Sequence, residues 1–250
     1  MRRPAPDDPS IEGVTAPENR LINHFFHDFK GGLSTVIMCM DALREGIEGP
    51  VSQDQDRWLE KAERNCQHLV SLIDDFRDLT RMEDGSYPPE AEPVDPAAMF
   101  EQLSQNVADE AARRRIRTAF DLPDGLPGPR MASPLVGRSL TRMYGVLVDC
   151  TRTGGLLLTT VHVQGTGPRP ELVIRIESEG VESDAALLES VFDKLSQAGA
   201  GLQWGRGYTL LFCRTAARYL GGDLVLSPWP GRGTRVDVRL PLGPPGQDRG

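Results

Sequence analysis

The 250-residue sequence has no apolar run approaching the roughly 20 residues that a membrane helix requires. The stretch Met1-Arg2-Arg3-Pro4-Ala5-Pro6-Asp7-Asp8 has no apolar segment behind its charges, which excludes a signal peptide. Cations are not in excess. The 28 Lys and Arg stand against 36 Asp and Glu, for a net charge of -8, which argues against a nucleic-acid partner. Cysteine is scarce, and Cys39, Cys66, Cys150 and Cys213 form no CxxC pair. A reduced, cytoplasmic protein with neither disulfide framework nor metal site is expected.

What the chain does contain is Phe25-Phe26-His27-Asp28-Phe29-Lys30-Gly31-Gly32-Leu33-Ser34, a histidine followed at once by an acid within helical apolar spacing. At roughly 100° per residue, Phe25, Phe29, Val36, Met40 and Leu43 fall opposite His27, flanked by Ile22 and Leu33. That is an apolar stripe suited to a helix bundle. His24, Gly31, Ser34, Met38, Asp41 and Glu45 share the side of His27, so the imidazole is expected to face solvent. Gly31 and Gly32 each cost a helix about 1 kcal/mol against alanine. Such a cost fits a functional bend, close approach of a partner, or a tolerated defect.

The first helix is predicted from a capping box at Thr15-Ala16-Pro17-Glu18 to about Glu45, where Gly46 to Pro50 breaks it. Ser52-Gln53-Asp54-Gln55 caps a second helix that ends near Asp84-Gly85, with Trp58, Leu59, Ala62, Leu69, Ile73, Phe76 and Leu79 as its apolar positions. Two such helices make an antiparallel hairpin whose stripes need a second copy, hence a dimeric four-helix bundle. Residues 1–14 are expected to be disordered, 15–85 to form the hairpin and 86–96 a proline-rich linker. Residues 97–242 are expected to form a second domain, and 243–250 a loose tail.

In that second domain, helices are predicted over Asp95–Arg114, Leu135–Cys150, Ala185–Leu195 and Tyr208–Leu220. Strands are predicted over Thr118–Leu122, Leu156–Val163, Leu172–Ile176, Leu224–Ser227 and Thr234–Leu240. The mixture without strict alternation indicates an α/β sandwich.

Taken in order, these segments resemble the catalytic core of a bacterial sensor histidine kinase over about residues 17 to 242. The fold implied is a phosphoacceptor hairpin followed by a GHKL-type α/β sandwich. The resemblance implies that His27 accepts phosphate and that Asp28 acts as general base. It also implies that response-regulator receiver domains are the partners, and a receiver-contact strip is expected at Gly31, Ser34, Thr35, Met38 and Asp41. Few residues precede the hairpin, so input is expected through another protein.

The ATP-binding motifs of the family are altered. The helix that should supply an asparagine ligand for Mg²⁺ has Tyr144 and Val148 near those places, and no asparagine follows Asn106. Asp149 stands one place along as a substitute oxygen. The D-x-G-x-G turn corresponds to Glu177-Ser178-Glu179-Gly180-Val181-Glu182. Val191 to Leu195 resembles the F-box, and a short lid runs from Ala198 to Trp204. The phosphate loop becomes Gly205-Arg206-Gly207-Tyr208-Thr209-Leu210, with bulk where close backbone approach needs glycine. In the hairpin, Gly31 and Gly32 replace the usual Thr or Asn and the following proline.

The expected function is therefore histidine phosphotransfer: His27 takes phosphate from one receiver and passes it to another, with no ATP or metal of its own. The alternatives are a divergent ATP- and Mg²⁺-dependent kinase and a non-catalytic adaptor that binds receivers or kinases.

Overall fold

The computed structural model describes residues 16–88, 92–128, 130–131, 133–165, 170–180 and 204–242. The expected disordered N-terminus, the cap at Thr15, the Ala185–Leu195 helix, the F-box and most of the lid lie outside them. The chain divides into two compact units, Met1–Ser86 and Tyr87–Gly250.

In the first unit, α1 (Ala16–Arg44) and α2 (Gln53–Glu83) form the hairpin. The expected capping box is present. Ser52 accepts from the Gln55 backbone N–H at 3.2 Å, and the Gln55 side chain accepts from the Ser52 N–H at 2.8 Å. Arg44 clamps the turn end, reaching Asp56 and Glu63 of α2 at 2.8 Å each.

One feature of the hairpin differs from the sequence pattern. Helix α1 meets α2 through Phe26, whose ring lies edge-on to Phe76 at 5.2 Å, and through Lys30, which is paired with Asp74. Leu33, Ile37 and the buried Met40 continue that face. Phe25, Phe29, Val36 and Leu43, expected with Met40 in one stripe, remain exposed. A single α2 is too narrow to cover an apolar arc of that width.

In the second unit, α3 (Pro96–Arg113) begins at the N-cap Asp95, whose carboxylate accepts from the N–H groups of Ala97 and Ala98. It is followed by β2 (Arg117–Asp121), α4 (Ser133–Cys150), β4 (Leu156–Gln164), β5 (Glu171–Glu179), α5 (Trp204–Tyr219), β6 (Asp223–Trp229) and β7 (Gly233–Pro241). A small antiparallel ladder, β1 (Glu92–Pro93) with β3 (Arg130–Met131), occupies what the sequence suggested was linker and loop.

The main sheet has the order β2-β4-β5-β7-β6; only the β2–β4 pair is parallel. Its pairing register sorts side chains by face. Leu157, Ile174, Ile176, Leu224, Val236, Val238 and Leu240 are buried on the face toward the helices. A small apolar void there is lined by Leu140 and Met143 of α4, Cys213 and Ala217 of α5, and Leu224 and Val238 of the sheet. The opposite face carries cross-strand ion pairs, Arg175 with Asp237 at 2.7 Å and Glu177 with Arg235 at 2.6 Å.

Candidate functional site

His27 lies on the second half-turn after Phe25 in α1, and its side chain is 85% exposed. Its Nδ1 stands 3.5 Å from Asp28 Oδ1, and His24 Nε2 is 3.7 Å from Asp28 Oδ2. Asp28 therefore sits between two imidazoles one helical turn apart. Its contact at Nδ1 favours the proton there, which leaves His27 Nε2 with its lone pair toward solvent.

Beside His27 the two helices form a groove of about 560 Å³. Phe26, His27, Lys30, Gly31 and Ser34 line it from α1, and Ile73, Asp74, Arg77 and Arg81 from α2. Its walls thus carry three cations against one carboxylate. Lys30 gives its charge to Asp74, with contacts of 2.8 and 3.0 Å to the two carboxylate oxygens.

Gly31 and Ser34 of the expected receiver-contact strip line this groove with His27. Thr35, Met38 and Asp41 are exposed on α1 but do not line it, and the Thr35 hydroxyl donates to the Gly31 carbonyl at 3.0 Å. A Cβ at Gly31 or Gly32 would meet nothing within 4 Å. Packing within the chain therefore does not require either glycine. The contribution of α2 was missed from sequence, because it depends on the pairing of the helices. The available signal was the run of charges at Asp74, Asp75, Arg77, Asp78 and Arg81 in α2.

The positions expected to hold ATP are dispersed through the second unit. Tyr144 is 1% exposed, stacks on Phe120 at 5.9 Å and shares a short hydrogen bond with the Thr159 hydroxyl. Burial pushes its phenol well above the ordinary tyrosine range, against a smaller opposing pull from Thr159. Val148 is 2% exposed. Both places expected from the sequence to lie near the family's asparagines are thus core.

Asp149 pairs with Arg114 of α3 at 2.6 Å, and Arg114 is shared with Glu110. Glu177 was expected in a turn but lies inside β5, on the sheet face away from the helices, with its carboxylate held by Arg235. Gly180 follows the strand and bridges to Thr151. A Cβ there would fall 2.3 Å from the Cys150 carbonyl, so the end of α4 requires this glycine. Gly205 and Gly207, expected in a loop, lie in the first turn of α5, which begins at Trp204 rather than Tyr208. Tested against ATP and Mg²⁺, which this domain type implies, Tyr144, Val148, Asp149 and Glu177 do not fit. None presents a free oxygen on the helix side of the sheet. Among the described residues no cluster of three or more His, Cys, Asp or Glu is gathered for a metal.

A helical hairpin with a solvent-facing His-Asp pair, followed by a mixed sheet covered by helices on one face, defines a histidine kinase core. Residues 18–85 match the His Kinase A (phospho-acceptor) domain, and residues 138–244 match the histidine kinase-, DNA gyrase B-, and HSP90-like ATPase domain. The chain belongs to the histidine kinase family of two-component signalling and comprises its catalytic core.

It is 28% identical over 247 residues to the histidine protein kinase DivJ of Caulobacter vibrioides, covering 92% of this chain and 38% of that protein. To the alginate biosynthesis sensor protein KinB of Pseudomonas aeruginosa it is 21% identical, covering 86% and 36%. The chain thus spans well under half of either relative. Its fold matches full-length ShkA, solved in complex with AMPPNP, with a TM-score of 0.70 at 19% identity, over 90% of this chain and 46% of that one. Acinetobacter baumannii AdeS matches with a TM-score of 0.57 at 16% identity, over 85% and 98%. No described helix is long and apolar enough to cross a membrane.

Proposed function

We propose that this chain is a histidine phosphotransferase built on a kinase core, acting as a homodimer between response-regulator receivers. The observation that carries this reading is a contrast between the two units. His27 and Asp28 stand open above a cation-lined groove, whereas Tyr144, Val148, Asp149 and Glu177 are taken up by core packing and ion pairs.

In the forward step the lone pair of His27 Nε2 attacks phosphorus in line, and an N–P bond forms as the aspartyl O–P bond breaks. The leaving electron pair returns to the receiver's carboxylate. The imidazolium keeps its Nδ1 proton, which Asp28 shares and stabilises. A second receiver reverses these events on its own aspartate. Any Mg²⁺ in the step belongs to the receiver's acidic site. The second unit serves as scaffold and docking surface.

A divergent ATP-dependent kinase is the second reading, favoured by the retained Asp28 and the ATPase-domain match. Labelling decides between them. With labelled ATP and Mg²⁺ the protein should not label itself, and with a receiver carrying aspartyl phosphate it should gain label. His27→Ala should abolish uptake, and His24→Ala should leave it. Robust labelling from ATP alone would establish the kinase. Refusal of label from every phosphorylated receiver of its cell would leave an adaptor.

A further inference from the structure

The groove beside His27 contains a cation that is only loosely paired within the chain. Lys30 is neutralised by both oxygens of Asp74. Arg81 reaches the Ser86 carbonyl at the end of its own helix. Arg77 differs. It is ion-paired with the buried Asp78, but the approach of 3.6 Å to Nε is too long for a hydrogen bond, and that Nε has no hydrogen-bond partner while being closed off from water. The side chain as a whole is 41% exposed. A buried donor left unpaired costs about 1–3 kcal/mol, which is unusual in a helix surface position unless a ligand completes it.

The groups around it suit an anion. Ile73 supplies an apolar wall, Gly31 leaves the approach to His27 open, and Ser34 adds a hydroxyl. A phosphoryl group on His27 brings about two negative charges into a space whose cations exceed its carboxylates. A guanidinium offers two parallel N–H donors to phosphate oxygens, a geometry an ammonium lacks.

We infer that Arg77 is a catalytic residue of phosphotransfer: its guanidinium binds the equatorial oxygens of the phosphoryl group as it passes to and from His27. The inference rests on the phosphotransferase reading, and its test is separable from that reading. Phosphoramidate donates phosphate to histidine without a receiver: an N–P bond forms at His27 Nε2 as the P–N bond of the nitrogen-protonated donor breaks, and ammonia leaves with the electron pair of that bond and the protons it already carried. The rate of this labelling, and the ³¹P titration of the phosphohistidine product, are measured for wild type, Arg77→Gln, Arg77→Lys and Arg64→Gln. Arg64 lies on the same helix, pairs with Glu60 and does not line the groove, so it controls for lost charge.

Arg77→Gln should slow labelling about tenfold or more, as loss of a donor to a developing oxyanion does. It should also raise the pH at which the dianionic phosphoryl group takes up a proton. Arg77→Lys should recover part of both effects, and Arg64→Gln should match wild type. An effect on folding alone would not move the ³¹P titration, and Arg77→Lys keeps the test informative if Arg77→Gln folds poorly. Wild-type labelling with both Arg77 variants unchanged would overturn the role of Arg77 alone. A wild type that takes label from neither phosphoramidate nor any receiver would overturn the phosphotransferase reading itself.

Discussion

Gly31 illustrates what a single residue decides here. Alanine at this place would strengthen α1 by about 1 kcal/mol, and the space for its methyl is open. The gain has been declined beside the exposed His27-Asp28 pair, which fits a partner seated against bare backbone. Gly31→Ala should therefore raise the melting temperature while slowing transfer from a receiver. A stabilised protein with an unchanged rate would make Gly31 a tolerated defect. Met38, 64% exposed on the same side, supports a parallel expectation. Met38→Asp removes no core contact, so it should slow receiver transfer and leave folding and assembly as they were, by circular dichroism and light scattering. Equal rates would remove Met38 from the contact strip.

At the scale of the helix, the uncovered residues form seams. Phe25, Phe29, Val36 and Leu43 recur on α1 at intervals of four and seven, and Trp58, Leu69 and Phe76 lie in heptad register on α2. All are exposed large apolar side chains in the isolated chain. Fully burying each is worth about 1.5–3 kcal/mol, and knobs-into-holes packing against a second hairpin does so. The exposed Asn65 falls between Trp58 and Leu69 at a heptad position, where one polar residue sets register at some cost in stability. The protein should scatter light as a dimer at micromolar concentration. Val36→Glu with Leu69→Glu should yield a helical monomer. A wild type that is monomeric under those conditions would refute the bundle.

Across the whole molecule, the second unit has the sheet of its family, while Tyr144, Val148, Asp149 and Glu177, expected at its ligand positions, serve packing and ion pairs. Tyr144 is the clearest case, since its buried hydroxyl is hydrogen-bonded to Thr159 within the core. Tyr144→Phe strands that partner and should cost about 1–2 kcal/mol of stability in denaturant unfolding, with no effect on phosphate uptake by His27. A loss of uptake at unchanged stability would assign Tyr144 a role in chemistry instead. Calorimetric titration with ATP and Mg²⁺ should give no saturable heat. Micromolar binding would restore the kinase reading.

The order of elements, the capped hairpin and the His-Asp pair on a solvent face could all be read from residue spacing, because helical period and capping are local properties. Other features are not local, and only the tertiary structure decided them. Which apolar residues of α1 turn toward α2 depends on the pairing of the helices, so Met40 parted from the stripe that holds Phe29 and Val36. Glu177 looked like part of a ligand turn because Glu177 to Glu182 resembles the D-x-G-x-G turn of the family. Antiparallel register with β7 extended the strand and set Glu177 against Arg235 on the far face. Arg77 is far from His27 in sequence, and it joined the candidate site only because the hairpin folds α2 back along α1.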